Sequence, residues 1–306
     1  MNKIISNRGE IIFLYDVTYG NPNGDPLDEN RPRIDEETGI NIVTDVRLKR
    51  TIRDHLHDYK NQQIFILETR KEDGKLKEKE DRIVDLNINT SEDMLNKCID
   101  IRLFGATTLV KKKANIIFTG PVQFKFGRSM HRVALKFIKG TTVMPSKDQR
   151  EQGTFTGTYV LPYSLINFYG IINENSAKET KLTKDDVDLL LDGMWNGTKN
   201  LHSRSKTGQM PRFLLKVNYD EDNYHIGDLH RMISLQSEVS DEEIRDVSQV
   251  KLDVTELIRT LNENKKAISS IEYQVDDRLA FICDETEMTF EKCLSDIGVS
   301  IESLNL

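Results

Sequence analysis

The chain has 306 residues, 37% of them hydrophobic and 30% charged, and a formal net charge of −7. That size accommodates one large domain with insertions, or two domains, with a sizeable core. No apolar run approaches the roughly 20 residues of a membrane helix, the start MNKIISNRGE lacks the apolar stretch of a secretory signal, and Cys98, Cys283 and Cys293, without CxxC spacing, read as thiols of a reducing cytoplasm rather than a disulfide frame or zinc site.

In chain order, residues 11–19 read as a strand rich in β-branched and aromatic residues. YGNPNGDPLDENRPRIDEETG follows, holding Pro22, Pro26 and Pro32 of the seven prolines. Such turn chemistry marks either a surface reversal or a loop shaped to hold something at a strand end. Thr44 is placed to cap a helix over 45–59, whose Leu48, Ile52, Leu56 and Tyr59 recur at helical spacing. Residues 64–67 read as a short strand, and RKEDGKLKEKEDR (70–82) as a solvated excursion around Gly74. A helix is expected from Thr90 or Ser91 to about Leu103. Strand character returns over 114–126, with a bulge or edge at Gly120-Pro121. The Gly-, Thr- and Lys-rich stretch 127–157 is long for a plain connection and predicts a protruding hairpin. Further on, 159–172 is apolar and aromatic, 182–194 a helix, 196–211 a polar basic loop and 212–219 a strand. The tail adds a helix over 241–261, a strand over 279–283 and a helix over 285–294. Strands and helices mix, with helices too sparse for a doubly wound parallel sheet, so the expected class is α+β.

The negative total hides a segregated charge. No Asp or Glu occurs between Asp100 and Asp148, an interval with ten Lys or Arg, nor between Asp192 and Asp220, which contains Lys199, Arg204, Lys206, Arg212 and Lys216. The region beyond Asp220 is acidic, with DEE and DETE clusters that could meet a basic face on a neighbouring copy. A polyanion responds to the local field, not to the total.

There is no Walker A, GxGxxG, HExxH or GxSxG pattern, and the six histidines form no ligand pair. Asp25, Asp28 and Asp35 could hold Mg²⁺, although acids in such loops more often bond nearby backbone N–H groups. Binding features are stronger. Lys49, Arg50 and Arg53 gather cations on the first helix. FKFGRSMHRV, with Arg128 and His131, alternates aromatic and basic groups, as a base-stacking surface or simply a half-buried strand would. LHSRSKTGQMPR offers backbone N–H groups, Arg204 and Lys206 to a phosphate.

Six ordered motifs carry a resemblance: FLYDVTYGNPNGDP, VTDVRLKRTIRDHL, DIRLFGA, TGPVQFKFGRSMHRV, GTFTGTYVLPYSLINFYG and WNGTKNLHSRSKTGQMPR. Together, over residues 8–219, they resemble the backbone subunit of type I CRISPR Cascade complexes, the Cas-seven family in its I-B/I-C branch, with type I-B the closer match. The resemblance implies a modified RRM-like (ferredoxin-like) palm with a helical fingers insertion and a protruding thumb hairpin. Its parts would be palm 1–60, fingers 61–114, a palm strand 115–126, thumb 127–157 and second palm part 158–306 with the acidic C-terminal region. It implies a non-catalytic cytoplasmic protein that stacks as a helical filament along CRISPR RNA for pairing with target DNA. Its partners would be that RNA, further copies of itself and other Cascade subunits, with no membrane and no cofactor. Lys49, Arg50 and Arg53 would contact guide phosphates. Asn21 and Asn23 would shape the groove entry, Arg128 and His131 would lie along it, Met144 would wedge between nucleotides and Lys147 contact a phosphate. The loop with Lys199, Arg204, Lys206 and Gln209 would hold the guide backbone. No RNP1 motif is present, so base stacking on sheet aromatics is not implied. Two other readings remain open: a metal-dependent ribonuclease using Asp25, Asp28 or Asp35, and a plain assembly protein.

Overall fold

The computed structural model describes residues 3–108, 116–141 and 155–306. The strand β1 (Gly9–Gly20) enters the interior of a ten-stranded sheet, and the proline-rich loop after it contributes two-residue strands β2 (Gly24–Asp25), β3 (Arg31–Pro32) and β4 (Ile34–Asp35). After β5 (Ile40–Val43) comes α1 (Asp45–Asp58), capped as expected by Thr44, whose side chain accepts from the Arg47 N–H. An insertion follows with α2 (Lys79–Asp85), α3 (Ser91–Lys97), α4 (Ile99–Phe104) and the paired strands β6 (Gly105–Thr108) and β7 (Ile116–Thr119). Next are β8 (Val122–Phe124), β9 (Gly127–Arg132), β10 (Lys136–Thr141) and the 18-residue β11 (Phe155–Ile172). Then come α5 (Glu174–Thr180), α6 (Lys184–Lys199) and β12 (Met210–Tyr219). The rest of the chain holds β13 (Ser234–Ser237), β14 (Val250–Asp253), α7 (Thr255–Glu263), β15 (Ile268–Val275), β16 (Ala280–Cys283), β17 (Thr286–Met288), α8 (Phe290–Leu294) and β18 (Ser300–Ser303).

Apolar alternation along β1 buries both faces of the large sheet. Ile11, Phe13, Tyr15 and Val17 join the core under α1 and α6, while Ile12 and Leu14 join the core shared with α7, α8 and the four-stranded sheet β13-β14-β16-β17. β1 lies between β11 and β12, antiparallel to both, with Phe13 opposite Phe168 and Leu214. A third, smaller core of Phe65, Ile83, Ile88, Met94, Leu95, Cys98 and Ile101 holds the insertion.

Several expectations change. Residues 64–67 form no strand, because the Phe65 and Ile66 N–H groups donate to the Asp100 carboxylate at 2.8 and 3.0 Å instead of to a ladder. The charged stretch 70–82 contains a turn at Gly74 and the start of α2, and the single helix expected over 90–103 divides at Cys98, whose backbone is extended. β9 belongs to the large sheet, between β5 and β11, so among the described residues the paired strands of the hairpin are β10 and the start of β11. Gly127 opens β9 where a Cβ would lie 2.3 Å from the Phe168 ring. The helix expected over 241–261 is replaced by 3-10 turns, β14 and α7. Val250 and Leu252 are buried with Lys251 exposed between them, a period of two. The helix expected over 182–194 runs on to Lys199, and α5 and β15 were not expected. All three cysteines are buried free thiols, and no described helix is long and apolar enough to cross a membrane.

Candidate nucleic-acid interface

Three segments distant in sequence meet at the end of β1. The N–H of Asn21 donates to the Ser205 carbonyl at 2.8 Å, docking the proline-rich loop onto the loop after α6. Gly20 is needed at this approach, since a Cβ there would stand 3.1 Å from the same carbonyl and 2.8 Å from Val17. Asn23 fixes the neighbouring helix: its Oδ1 accepts from the Thr44 N–H and hydroxyl, both at 2.9 Å. The proline-rich loop thus sets the entry angle of α1 and braces the 203–207 turn.

Arg47, on the first turn of α1, is half-buried, and Lys206 in the braced turn is half-buried as well. Arg47 donates to the Thr51 hydroxyl at 2.8 Å and leaves a buried Nε unpartnered; among the described residues Lys206 donates only to the Ser205 hydroxyl, at 3.3 Å. Neither forms an ion pair among the described residues. Burial, reinforced by the charge of Arg47, pushes the Lys206 ammonium below the ordinary lysine value, and burial likewise lowers Arg47. Two such cations repel each other at some cost in stability, and an anion between them removes that cost.

From Arg47 the positive surface continues along α1. Arg47, Arg50 and Arg53 recur every three residues and line a cleft of about 580 Å³ closed on its far side by Phe65–Thr69, Lys77, Lys79 and Arg82 of the insertion. Glu68 and Glu78 are the only acids on its wall among the described residues. Arg53 donates to the fully buried Asp100 at 3.1 Å and lies over the Phe104 ring at 5.0 Å. Arg50 is exposed and held by Asp54 at 2.7 Å.

The other sequence-derived candidates fall into three groups. Lys199 and Arg204 are exposed near the braced turn, without an ion-pair partner among the described residues. Lys49 turns aside from the cleft to Asp45 and Gln123, at 3.0 and 3.1 Å, and Arg128 lies on β9 beside Asp35 at 3.7 Å. Asn21 and Gln209 are buried, each with one unpartnered polar atom. His131 is 2% exposed, its Nδ1 facing the Arg132 and Asp241 carbonyls and its Nε2 accepting from the Leu165 N–H, so it is a core histidine and not a surface ligand. Met144 and Lys147 lie outside the described residues. Arg47, Lys77, Lys79 and Arg82 escaped the sequence reading. Arg47 had a signal, standing one turn before Arg50 on the same ridge; the others had none, because the insertion hides its packing in a mixed-charge run.

Asp25 and Asp35 each accept from the backbone two residues on, Leu27 at 3.0 Å and Glu37 at 3.2 Å, as turn formers do. No group of three or more metal-ligating side chains occurs among the described residues.

Comparison with known proteins agrees with the motifs. The family model for CRISPR-associated protein Cas7 matches residues 7–255. A CRISPR-associated protein Cas7 from Haloferax volcanii is 32% identical over 334 aligned positions, covering 98% of this chain and 97% of its own. Among solved structures, a chain of a CRISPR RNA-guided surveillance complex superposes with a TM-score of 0.55 at 12% identity, covering 98% of this chain and 95% of that one. A chain of such a complex in a pre-nicking state gives 0.57 at 10% identity, covering 97% and 96%. At these identities the likeness is one of fold: a mixed α/β molecule built on a large sheet. With the family model matching most of its length and a relative of this identity across nearly all of it, the chain belongs to the CRISPR-associated Cas7 family.

Proposed function

We propose that this chain is the guide-holding backbone subunit of a type I, I-B-like Cascade complex: it grips the ribose-phosphate strand of CRISPR RNA through cations rather than base edges. The observation that carries the reading is the half-buried Arg47–Lys206 pair, set without an ion-pair partner among the described residues where the proline-rich loop, α1 and the turn after α6 converge. The exposed Lys199 and Arg204 would extend the track on one side, and Arg50, Arg53, Lys77 and Lys79, which line the cleft, on the other. Contacts of this kind hold any spacer equally, which a guide holder requires. In this reading the large sheet is the RRM-like palm, the insertion with α2–α4 the fingers, and β10 with the start of β11 the base of the thumb, whose Met144 and Lys147 would engage the guide. Copies would stack along one guide, contact the other Cascade subunits, and leave bases open to target DNA. No observation favours the ribonuclease alternative, since Asp25 and Asp35 serve the turns and Asp28 stands 3.8 Å from Arg31.

The direct test is the nucleic acid that travels with the purified protein. An ultraviolet absorbance ratio typical of a ribonucleoprotein, and extracted RNA of guide length with varied spacers, are expected; RNA-free protein already assembled into ordered filaments would favour the plain assembly reading. Regularly spaced cuts in complementary RNA with Mg²⁺, abolished by Asp25→Ala, would favour the nuclease.

A further inference from the structure

A second groove lies on the opposite face of the large sheet, between β9 and β13, with a volume of about 780 Å³. Its floor includes Asn167 on β11, a residue flanked by core positions Ile166 and Phe168 that point the other way. Asn167 is 8% exposed. Its Nδ2 donates to the His230 carbonyl at 3.2 Å, which fixes the amide, and its Oδ1 is buried without a partner. Beside it the His230 ring stacks on Tyr169 at 4.6 Å and leaves Nδ1 buried without a partner. An unmet buried polar group costs about 1–3 kcal/mol, so the Asn167 Oδ1 calls for a donor, and the His230 Nδ1 for a donor or an acceptor according to its tautomer.

The walls suit a planar anionic molecule. Phe126 is 57% exposed at the rim, with a face free for stacking. Lys125 and Arg128 flank it; their pairs with Asp228 at 2.6 Å and Asp35 at 3.7 Å are solvent-exposed, the kind that contributes little and that a phosphate displaces. Ser234 adds a hydroxyl.

We infer that this groove is a base-holding site for single-stranded nucleic acid, separate from the Arg47–Lys206 track, in which a base stacks on Phe126 and turns an amino edge to Asn167 Oδ1. Adenine and cytosine present such a group. Thymine presents a carbonyl oxygen at the equivalent position, which faces the acceptor unfavourably. Aromatic stacking with cationic flanks is the general means of holding single strands, and the amide supplies the discrimination that stacking lacks.

The test is fluorescence anisotropy of the full chain with labelled oligo-dA, oligo-dC and oligo-dT octamers, in the wild type and in the Arg47→Ala/Lys206→Ala background. The second background separates this groove from the guide track, whatever becomes of the guide-holding reading. Oligo-dA and oligo-dC are expected to bind at least five-fold more tightly than oligo-dT in both. Phe126→Ala, at an exposed position, should weaken oligo-dA binding at least five-fold with an unchanged melting curve, and Asn167→Leu should erase the base preference. Equal binding of all three octamers overturns the inference, as does wild-type affinity in a folded Phe126→Ala protein. Failure of every octamer to bind means that water alone meets Asn167, and overturns it too.

Discussion

Arg47 and Lys206 make a sharp prediction because their repulsion and their proposed use pull in opposite directions. Replacing both by Ala removes a half-buried like-charge pair that no ion pair neutralises among the described residues, Arg47 being steadied only by the longer-range charge of Asp54, so the melting temperature should hold or rise slightly, while affinity for guide RNA at physiological salt falls at least ten-fold; a protein that loses binding by unfolding would show the reverse in a thermal melt. Asp100 is the structural counterpart. Its carboxylate accepts from the Phe65 and Ile66 N–H groups and neutralises Arg53, so Asp100→Ala strands two N–H donors and a guanidinium. A loss of about 3–5 kcal/mol in urea unfolding is expected. His230 sets a pH dependence. Burial first, and Lys125 second, hold its pKa at about 4 against an ordinary 6.5. Below pH 6.5 the unfolded chain takes up a proton that the folded one refuses until about pH 4, so stability falls as pH drops through that window. His230→Asn should flatten that part of the stability curve.

Among elements, β9 shows how one residue decides where a strand packs. Gly127, Ser129 and His131 point inward while Arg128 and Arg132 point out, and the inward set is small or planar where β9 crosses the Phe168 ring. Gly127→Ala forces that fully buried ring to move and should cost about 1–3 kcal/mol in a chemical melt, against near-neutrality for Gly74→Ala packing, where nothing lies within 4 Å and only the positive φ matters. α1 was legible from its residues because its signals are local: a Thr cap, an apolar stripe and the cations Lys49, Arg50 and Arg53. Residues 64–67 were not, because what satisfies their backbone is a side chain on α4. The 241–261 segment misled in a related way, with acidic and polar residues suggesting a helix where Asp246 instead caps a 3-10 turn through the Ser248 N–H at 3.0 Å.

Over the whole molecule, charge segregation along the chain was a partial guide. The acid-free windows are acid-free only in sequence: Arg102 pairs with Asp186, Arg212 with Asp16 and Asp276, and Lys216 with Glu272. What survives this neutralisation is a smaller set, centred on Arg47 and Lys206, which no single window contains because Arg47 lies outside both and reaches Lys206 only through the fold. The six motifs led to the family, since each is a local string. The track did not follow from them, since tertiary packing alone decides which cations are left unpaired. The same packing turned His131 from a candidate ligand into a core residue.

The most direct measurement is the salt dependence of guide RNA binding for two unrelated spacers, in the wild type and in Arg47→Ala/Lys206→Ala. Each lost phosphate contact on a single strand should reduce the slope of log affinity against log salt by about 0.7, so the double variant should lose about 1.4, equally for both spacers. An unchanged slope, or a loss that depends on spacer sequence, would contradict a grip made of cations on the phosphate strand.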